Sequence, residues 1–223
     1  MQVTAILKAR AVALIDIEEL NLFGKVRFAN IVPALVEKYG FLVYPTKPED
    51  FDSEKGIKFS YGKSGDKIID LLAVYGGLIT LETSSSTADS REVLEGILTW
   101  GSEKLGLTYK DGMIRHWGYI SHISFYTDFP LLSSLSKPLQ NLAQKTGEVV
   151  ASLFGENLIY EVAKVNVGHD PGVRKNSIAG ITLEHRANVQ FGENKFFSEA
   201  PLPTDLHIRF LEELEAEVLE LLK

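Results

Sequence analysis

The chain has 223 residues, of which 45% are hydrophobic, enough for a sizeable core in one or two domains. Its formal net charge of -7 makes nucleic acid an unlikely class of partner, because binding to phosphates draws on a basic surface. The absence of cysteine excludes disulfides, thiolate metal sites and a cysteine nucleophile.

The N-terminal segment predicts a cytoplasmic protein that does not enter a membrane. Lys8, Arg10 and Asp16 interrupt its apolar run, which is typical of neither a signal peptide nor a membrane helix. Residues 3–18 alternate like a strand but also nearly fit a helical stripe, and short apolar runs often allow both interpretations. We favour a strand, because residues 114–127 form a strand-like segment at the same place in the second half.

The first half of the sequence predicts the order β-α-β-β-β-α. A stripe at helical spacing ends at Gly40, a residue that commonly terminates helices. Gly76 and Gly77 suit a two-residue hairpin turn, and Thr87 or Asp89 can cap the helix that follows the serine run at 84–86. The predicted elements are a strand at 3–18, a helix at 26–39, strands near 57–61, 67–75 and 78–82, and a helix with Val93, Leu94, Ile97 and Leu105 inward.

The second half repeats this order. Its elements are a strand at 114–127, a helix at 136–153, strands at 158–167, 178–190 and 195–198, and a helix from Thr204. The first helix is predicted to turn Leu139, Leu142, Val149, Val150 and Leu153 inward. The last is predicted to bury Phe210, Leu211, Leu214, Val218 and Leu222.

These patterns predict an α+β protein of two β-α-β-β-β-α halves, at 1–110 and 113–223, packed as one compact unit. The halves would form a mostly antiparallel curved sheet with helices packed on one face. A shift of 117 residues places Thr87 on Thr204 and Leu94 on Leu211, which favours an internal duplication. The order of elements resembles that of duplicated saddle-like folds such as the TATA-binding protein. The sequence has none of that family's characteristic residues, so the resemblance implies no function.

The clearest binding candidates lie on one predicted strand, 178–190, which alternates strictly between apolar and polar residues. Glu184, Arg186 and Asn188 fall on its polar side and would face water or a partner. His116 and His122 share a face of another predicted strand. Two imidazoles can bind a metal, but the sequence supplies no third ligand at a suitable spacing, so we expect no metal site.

Three other features have a structural explanation. His185 falls on the apolar side of its strand and is predicted to be a buried histidine that hydrogen-bonds a neighbour. The serine run at 84–86 lacks the glycines and the lysine of a phosphate loop and is predicted to cap a helix. The loop that begins at His169 and continues through Pro171, Arg174 and Lys175 is charged and rich in turn residues.

The sequence has neither a nucleophile elbow nor a glycine-rich dinucleotide loop, and we expect no cofactor. Our first hypothesis is a non-enzymatic interaction or scaffold protein that binds another protein, or a second copy of itself, through the open polar sheet face. The alternative is a small-molecule-binding protein or enzyme with a site in the concavity between the halves. His116, His122, Glu184 and Arg186 would be the residues of that site.

Overall fold

The computed structural model describes residues 1–170, 172 and 178–223 and shows an α+β fold. Its strands are β1 (Gln2–Leu14), β2 (Ile57–Ser64), β3 (Lys67–Val74), β4 (Leu78–Thr83), β5 (His116–Tyr126), β6 (Lys164–Val167), β7 (Ile181–His185) and β8 (Lys195–Ala200). Its helices are α1 (Ile17–Leu20), α2 (Phe28–Tyr39), α3 (Thr87–Leu105), α4 (Leu131–Ser134), α5 (Lys137–Phe154) and α6 (Thr204–Leu221). Short 3-10 turns occupy Leu22–Gly24, Pro48–Phe51 and Phe191–Glu193.

The strands form one open antiparallel sheet in the order β2-β3-β4-β1-β5-β8-β7-β6. From the centre of the sheet outward, the first half runs β1, β4, β3, β2 and the second half runs β5, β8, β7, β6. The predicted fold class is therefore confirmed, including the interpretation of the first segment as a strand. The origin of the two halves by duplication stays a prediction.

The chain divides into two compact units. The N-terminal unit comprises Ile6–Ser121 and Leu202–Thr204, and the C-terminal unit comprises Met1–Ala5, His122–Pro201 and Asp205–Lys223. Each unit has its own apolar core.

The core of the N-terminal unit follows the predicted periodicities. Along β1, Ala9, Ala11 and Ala13 are fully buried, as the alternation of a strand requires. Helix α2 buries Val32, Leu35 and Tyr39 of the stripe predicted for it, while Phe28 is exposed. The helix ends at Gly40, which has a left-handed φ of 64°. The Gly76–Gly77 hairpin is present, because the Tyr75 amide donates to the Leu78 carbonyl at 2.9 Å. The main buried side chains are Val32, Leu35, Tyr39, Phe59, Leu72, Leu81 and Leu94.

The N-terminus of α3 corrects one prediction. Its cap is Ser86, whose Oγ accepts the Asp89 amide at 3.0 Å, rather than Thr87 or Asp89. Thr87 instead exchanges two hydrogen bonds with Thr204, the first residue of α6. Each backbone amide donates to the other residue's Oγ1, at 3.0 and 2.9 Å. The two residues that the 117-residue shift aligns are thus direct partners.

The core of the C-terminal unit is built by β5, β7, β8, α4 and α6. Its buried residues are Ile123, Phe125, Leu131, Leu132, Leu183, Phe196, Leu211 and Val218. Helix α6 follows the prediction in part, because Phe210 and Leu222 are exposed. The strands predicted at 158–167 and 178–190 are shorter in the structure. They are limited to β6 and β7, which pair with each other.

Helix α5 contradicts the predicted burial of its apolar stripe. It forms almost where predicted, but it contributes no residue to the buried core of its unit. Leu142 is 62% exposed and Leu153 is 69% exposed, and Leu139 and Val149 are exposed as well. Ser136 stands at the predicted cap position but makes no side-chain capping bond. Periodicity shows that a helix has an apolar side, but it cannot show what covers that side.

Candidate functional site

Two of the predicted binding residues meet at Phe197, on the outward side of β8. The His122 ring meets the Phe197 ring edge-on, with centroids 5.4 Å apart. The Arg186 guanidinium carbon lies 5.8 Å from the centroid of the same ring. His122 Nε2 is also 3.3 Å from Glu199 Oε2. These contacts form a small aromatic and charged cluster, which we call the Phe197 cluster.

Glu184 borders the Phe197 cluster, because it is the direct cross-strand partner of Phe197 between β7 and β8. Its carboxylate accepts from Lys164 Nζ at 3.0 Å across the β6–β7 pair. Both side chains are partly exposed, so the pair contributes only about 0–1 kcal/mol to stability. The outward side of β7 and β8 thus carries the Lys164–Glu184 ion pair beside the half-buried Phe197 ring.

Asn188 and His116 do not belong to the Phe197 cluster. Strand β7 ends at His185, so Asn188 lies in a turn, where its φ of 62° is left-handed, and not on the strand face predicted for it. His116 is the exposed first residue of β5 and belongs to the N-terminal unit. Sequence reasoning overlooked Phe197, which appeared only as part of a short strand.

Two buried histidines lie behind the sheet in the C-terminal unit. His185 is buried as predicted, stacked on Phe191 and Phe196 with centroids 4.5 and 4.7 Å away. Its Nε2 has no hydrogen-bond partner and lies 3.9 Å from Glu161 Oε2. Burial lowers the pKa of His185, and the Glu161 carboxylate partly opposes this effect.

The second buried histidine, His207, is 1% exposed, and its Nε2 lies 2.8 Å from Ser198 Oγ. Ser198 donates its own hydroxyl proton to the Thr182 carbonyl at 2.8 Å, so His207 must donate the proton in their bond. Burial, reinforced by the charge of His122, lowers the pKa of His207 to about 4. His207 is therefore a neutral structural group at pH 7.

On the N-terminal unit, a buried carboxylate organises two basic side chains. Glu82 of β4 is 7% exposed and hydrogen-bonds the Arg10 guanidinium of β1 through two nitrogens. Lys8 Nζ lies 4.0 Å from the same carboxylate. This arrangement satisfies the Glu82 charge and fixes the position of Arg10.

The serine loop before α3 is also internally satisfied. Ser90 Oγ donates to the Ala9 carbonyl at 2.7 Å, and Ser84 Oγ donates to Asp70 at 2.6 Å. The nearby Lys67 ammonium lies 2.9 Å from the Asp89 carboxylate and 2.6 Å from that of Glu92. The hydrogen bond from Lys67 lowers the pKa of Asp89. These contacts agree with the predicted capping role and leave Lys67 engaged by carboxylates instead of open to an anion.

In the loop that begins at His169, both ring nitrogens of this histidine lie within hydrogen-bond distance of backbone carbonyls. His169 Nδ1 lies 3.0 Å from the Asp170 carbonyl, and Nε2 lies 2.9 Å from the Ile178 carbonyl. Pro171, Arg174 and Lys175 of the same loop lie outside the described residues.

One side of α5 is an exposed apolar surface, which we call the α5 apolar face. It is formed by Leu139, Leu142, Val149, Leu153 and the partly exposed Val150. On another side of α5, the segment that follows the helix packs closely against Gly147. A Cβ at Gly147 would lie only 3.2 Å from the Leu158 carbonyl oxygen, so a larger residue would be crowded there. Thr146 Oγ1 donates to the Leu142 carbonyl at 2.8 Å, so its hydroxyl is satisfied within the helix. The apolar side of α5 is therefore uncovered, while the side that carries Gly147 is packed.

Among the described residues, no group of three or more histidine, aspartate or glutamate side chains could hold a metal ion. Within the same ranges, no helix is long and apolar enough to span a membrane. No protein-family model matches the sequence, and no curated protein matches it.

Proposed function

We propose that this is a non-enzymatic interaction protein, that the α5 apolar face is its main binding surface, and that the occupant is the same face of a second copy. The observation that supports this proposal is the exposure of Leu139, Leu142, Val149 and Leu153 along one side of α5. The largest apolar patch of a typical monomer is about 300–600 Å² and is often functional.

The size of the surface suits a homodimer. The exposed parts of the α5 apolar face and Phe154 amount to about 500 Å² of apolar surface, if each large side chain has about 150–250 Å² in all. A standard interface buries about 800 Å² per partner, and about 65% of a homodimer interface is apolar. The apolar part of a standard interface is thus about 520 Å² per partner, close to the apolar area exposed on α5.

The order of residues suits self-association about a two-fold axis. Around Thr146, the stripe is close to a palindrome, with Leu139 opposite Leu153 and Leu142 opposite Val150. Two antiparallel copies of α5 would therefore place Leu139 on Leu153 and Leu142 on Val150, on either side of a central pair of Thr146 residues. An isologous interface requires this kind of self-complementarity.

The proposal is tested by replacing Leu142 with Glu and measuring the mass by sedimentation equilibrium between 1 and 100 µM. Each dimer would lose two buried leucines, worth about 2 kcal/mol each, so the dissociation constant should rise about 1,000-fold. Asn141→Glu is the matched control, because it adds the same charge at an exposed position on another side of α5, four residues from Lys137 and Lys145, and should leave the dimer intact. Circular dichroism would verify that both variants fold.

A wild-type chain that stays monomeric at 100 µM contradicts self-association. If such a chain instead binds an amphipathic helix of another protein, and Leu142→Glu abolishes that binding, α5 remains the surface but the occupant is different. The Phe197 cluster with Glu184 is a second candidate surface. If a defined partner still binds after Glu184 and Arg186 are both replaced by alanine, the Phe197 cluster is not the binding surface.

A further inference from the structure

The core of the N-terminal unit contains an apolar cavity of about 90 Å³ between the sheet and helices α2 and α3. Aliphatic and aromatic side chains make up almost all of its wall, among them Leu35, Phe59, Leu94 and Trp100. Protein cores are packed closely and contain few voids larger than a water molecule. An apolar cavity of this kind stays dry and accepts apolar molecules.

One edge of the cavity is formed by the connection between α1 and α2. Asn21 and Phe28 both line the cavity, and residues 22–27 form the loop between them. The Asn21 side chain closes this loop by accepting the Val26 amide at 2.9 Å and donating to the Val26 carbonyl at 2.8 Å. Within the loop, Phe23 is fully exposed and has a left-handed φ of 56°, which is uncommon outside glycine.

The same loop is cationic. Lys25 and Arg27 are exposed, and neither makes a salt bridge with any carboxylate of the described residues. In the preceding segment, Glu19 pairs with Arg115 at 3.0 Å and the Asp16 carboxylate accepts the Glu18 amide at 2.8 Å. An apolar cavity lined by both ends of a loop that carries two cations is complementary to a molecule with a short hydrocarbon tail and an anionic head.

We propose that the N-terminal unit binds a short-chain carboxylate, with its tail in the cavity and its carboxylate at Lys25 and Arg27. A volume of 90 Å³ holds about three methylene-sized groups, if each takes about the 30 Å³ of a water molecule in the liquid. An acid of about four carbons in all therefore fills the cavity, and a longer tail buries nothing further. This ligand site does not depend on the α5 apolar face, so dimerisation can fail without affecting it.

The test uses the full chain and isothermal titration with propanoate, hexanoate and dodecanoate. Hexanoate should bind about 4-fold tighter than propanoate, because propanoate already fills two of the three places in the cavity and one more methylene is buried at about 0.8 kcal/mol. Dodecanoate should gain nothing further, because its additional carbons exceed the cavity. Hexan-1-ol should bind more weakly than hexanoate, and Lys25→Ala with Arg27→Ala should remove that difference.

Val74→Ile adds one methyl group to the cavity wall and should weaken hexanoate binding while the chain stays folded. Ile68→Val on the same strand is the control, since Ile68 is exposed and does not line the cavity. Equal affinities across the three acids would overturn the cavity site, as would unchanged hexanoate binding by Val74→Ile. Equal affinities for hexanoate and hexan-1-ol would overturn the anionic class of the ligand.

Discussion

The buried His207 predicts that the free energy of unfolding falls on mild acidification. Its pKa is about 4 in the folded protein, whereas an unfolded histidine has a pKa of about 6.5. Between these values the unfolded chain binds the extra proton, so the free energy of unfolding rises with pH through this window and levels off above it. From pH 7.5 down to 4.5 this single group should remove about 2.5 kcal/mol, since each pKa unit corresponds to 1.36 kcal/mol.

The assay is urea unfolding followed by circular dichroism at several pH values between 4.5 and 7.5, for the wild type and His207→Gln. The glutamine amide can still donate to Ser198 but does not titrate in this range. Other groups with lowered pKa values, His185 and Asp89 among them, are present in both proteins, so their contributions cancel in the difference. Parallel pH profiles for the two proteins would refute the reasoning.

Three further substitutions test particular contacts by chemical unfolding. Glu82→Ala should cost about 1–3 kcal/mol, because the partly buried Arg10 loses its carboxylate; an unchanged stability would show that the pair is dispensable. Thr204→Val should cost about 1 kcal/mol, because the Thr87 amide loses its acceptor, and a neutral result would mean that another group replaces the hydroxyl. Phe197→Ala should cost about 1–2 kcal/mol through the lost ring contacts, and a larger loss would place Phe197 in the core.

The sequence predicted the elements whose burial follows from their own periodicity. Strand β1 and helix α3 form because their apolar residues repeat at strand and helix spacing against a core that the same half supplies. His207 could have been recognised as buried, because it lies four residues before Leu211 and eleven before Val218, on the stripe that α6 buries. It was not counted in the apolar stripe of α6 because histidine is polar.

The wrong or missing predictions concern features that the spacing of apolar residues along the chain does not determine. The alternation near residue 188 continues beyond His185, but the left-handed backbone at Asn188 ends the strand. The two contacts at Phe197 depend on which strands become neighbours, and nothing local specifies that β8 lies beside both β5 and β7. The exposure of the α5 apolar face depends on what packs against it, which a single helix cannot reveal.

Disulfide trapping tests the central claim most directly, because the chain has no cysteine and any cross-link must come from an introduced one. Thr146 would lie on the two-fold axis, where the two Cα atoms of packed helices approach to about 7 Å or less, within reach of a disulfide. Thr146→Cys should form a covalent dimer under mild oxidation, Gln144→Cys should not, and adding Leu142→Glu should suppress the cross-link. A Thr146→Cys protein that stays monomeric, or cross-links no faster than Gln144→Cys, would contradict self-association.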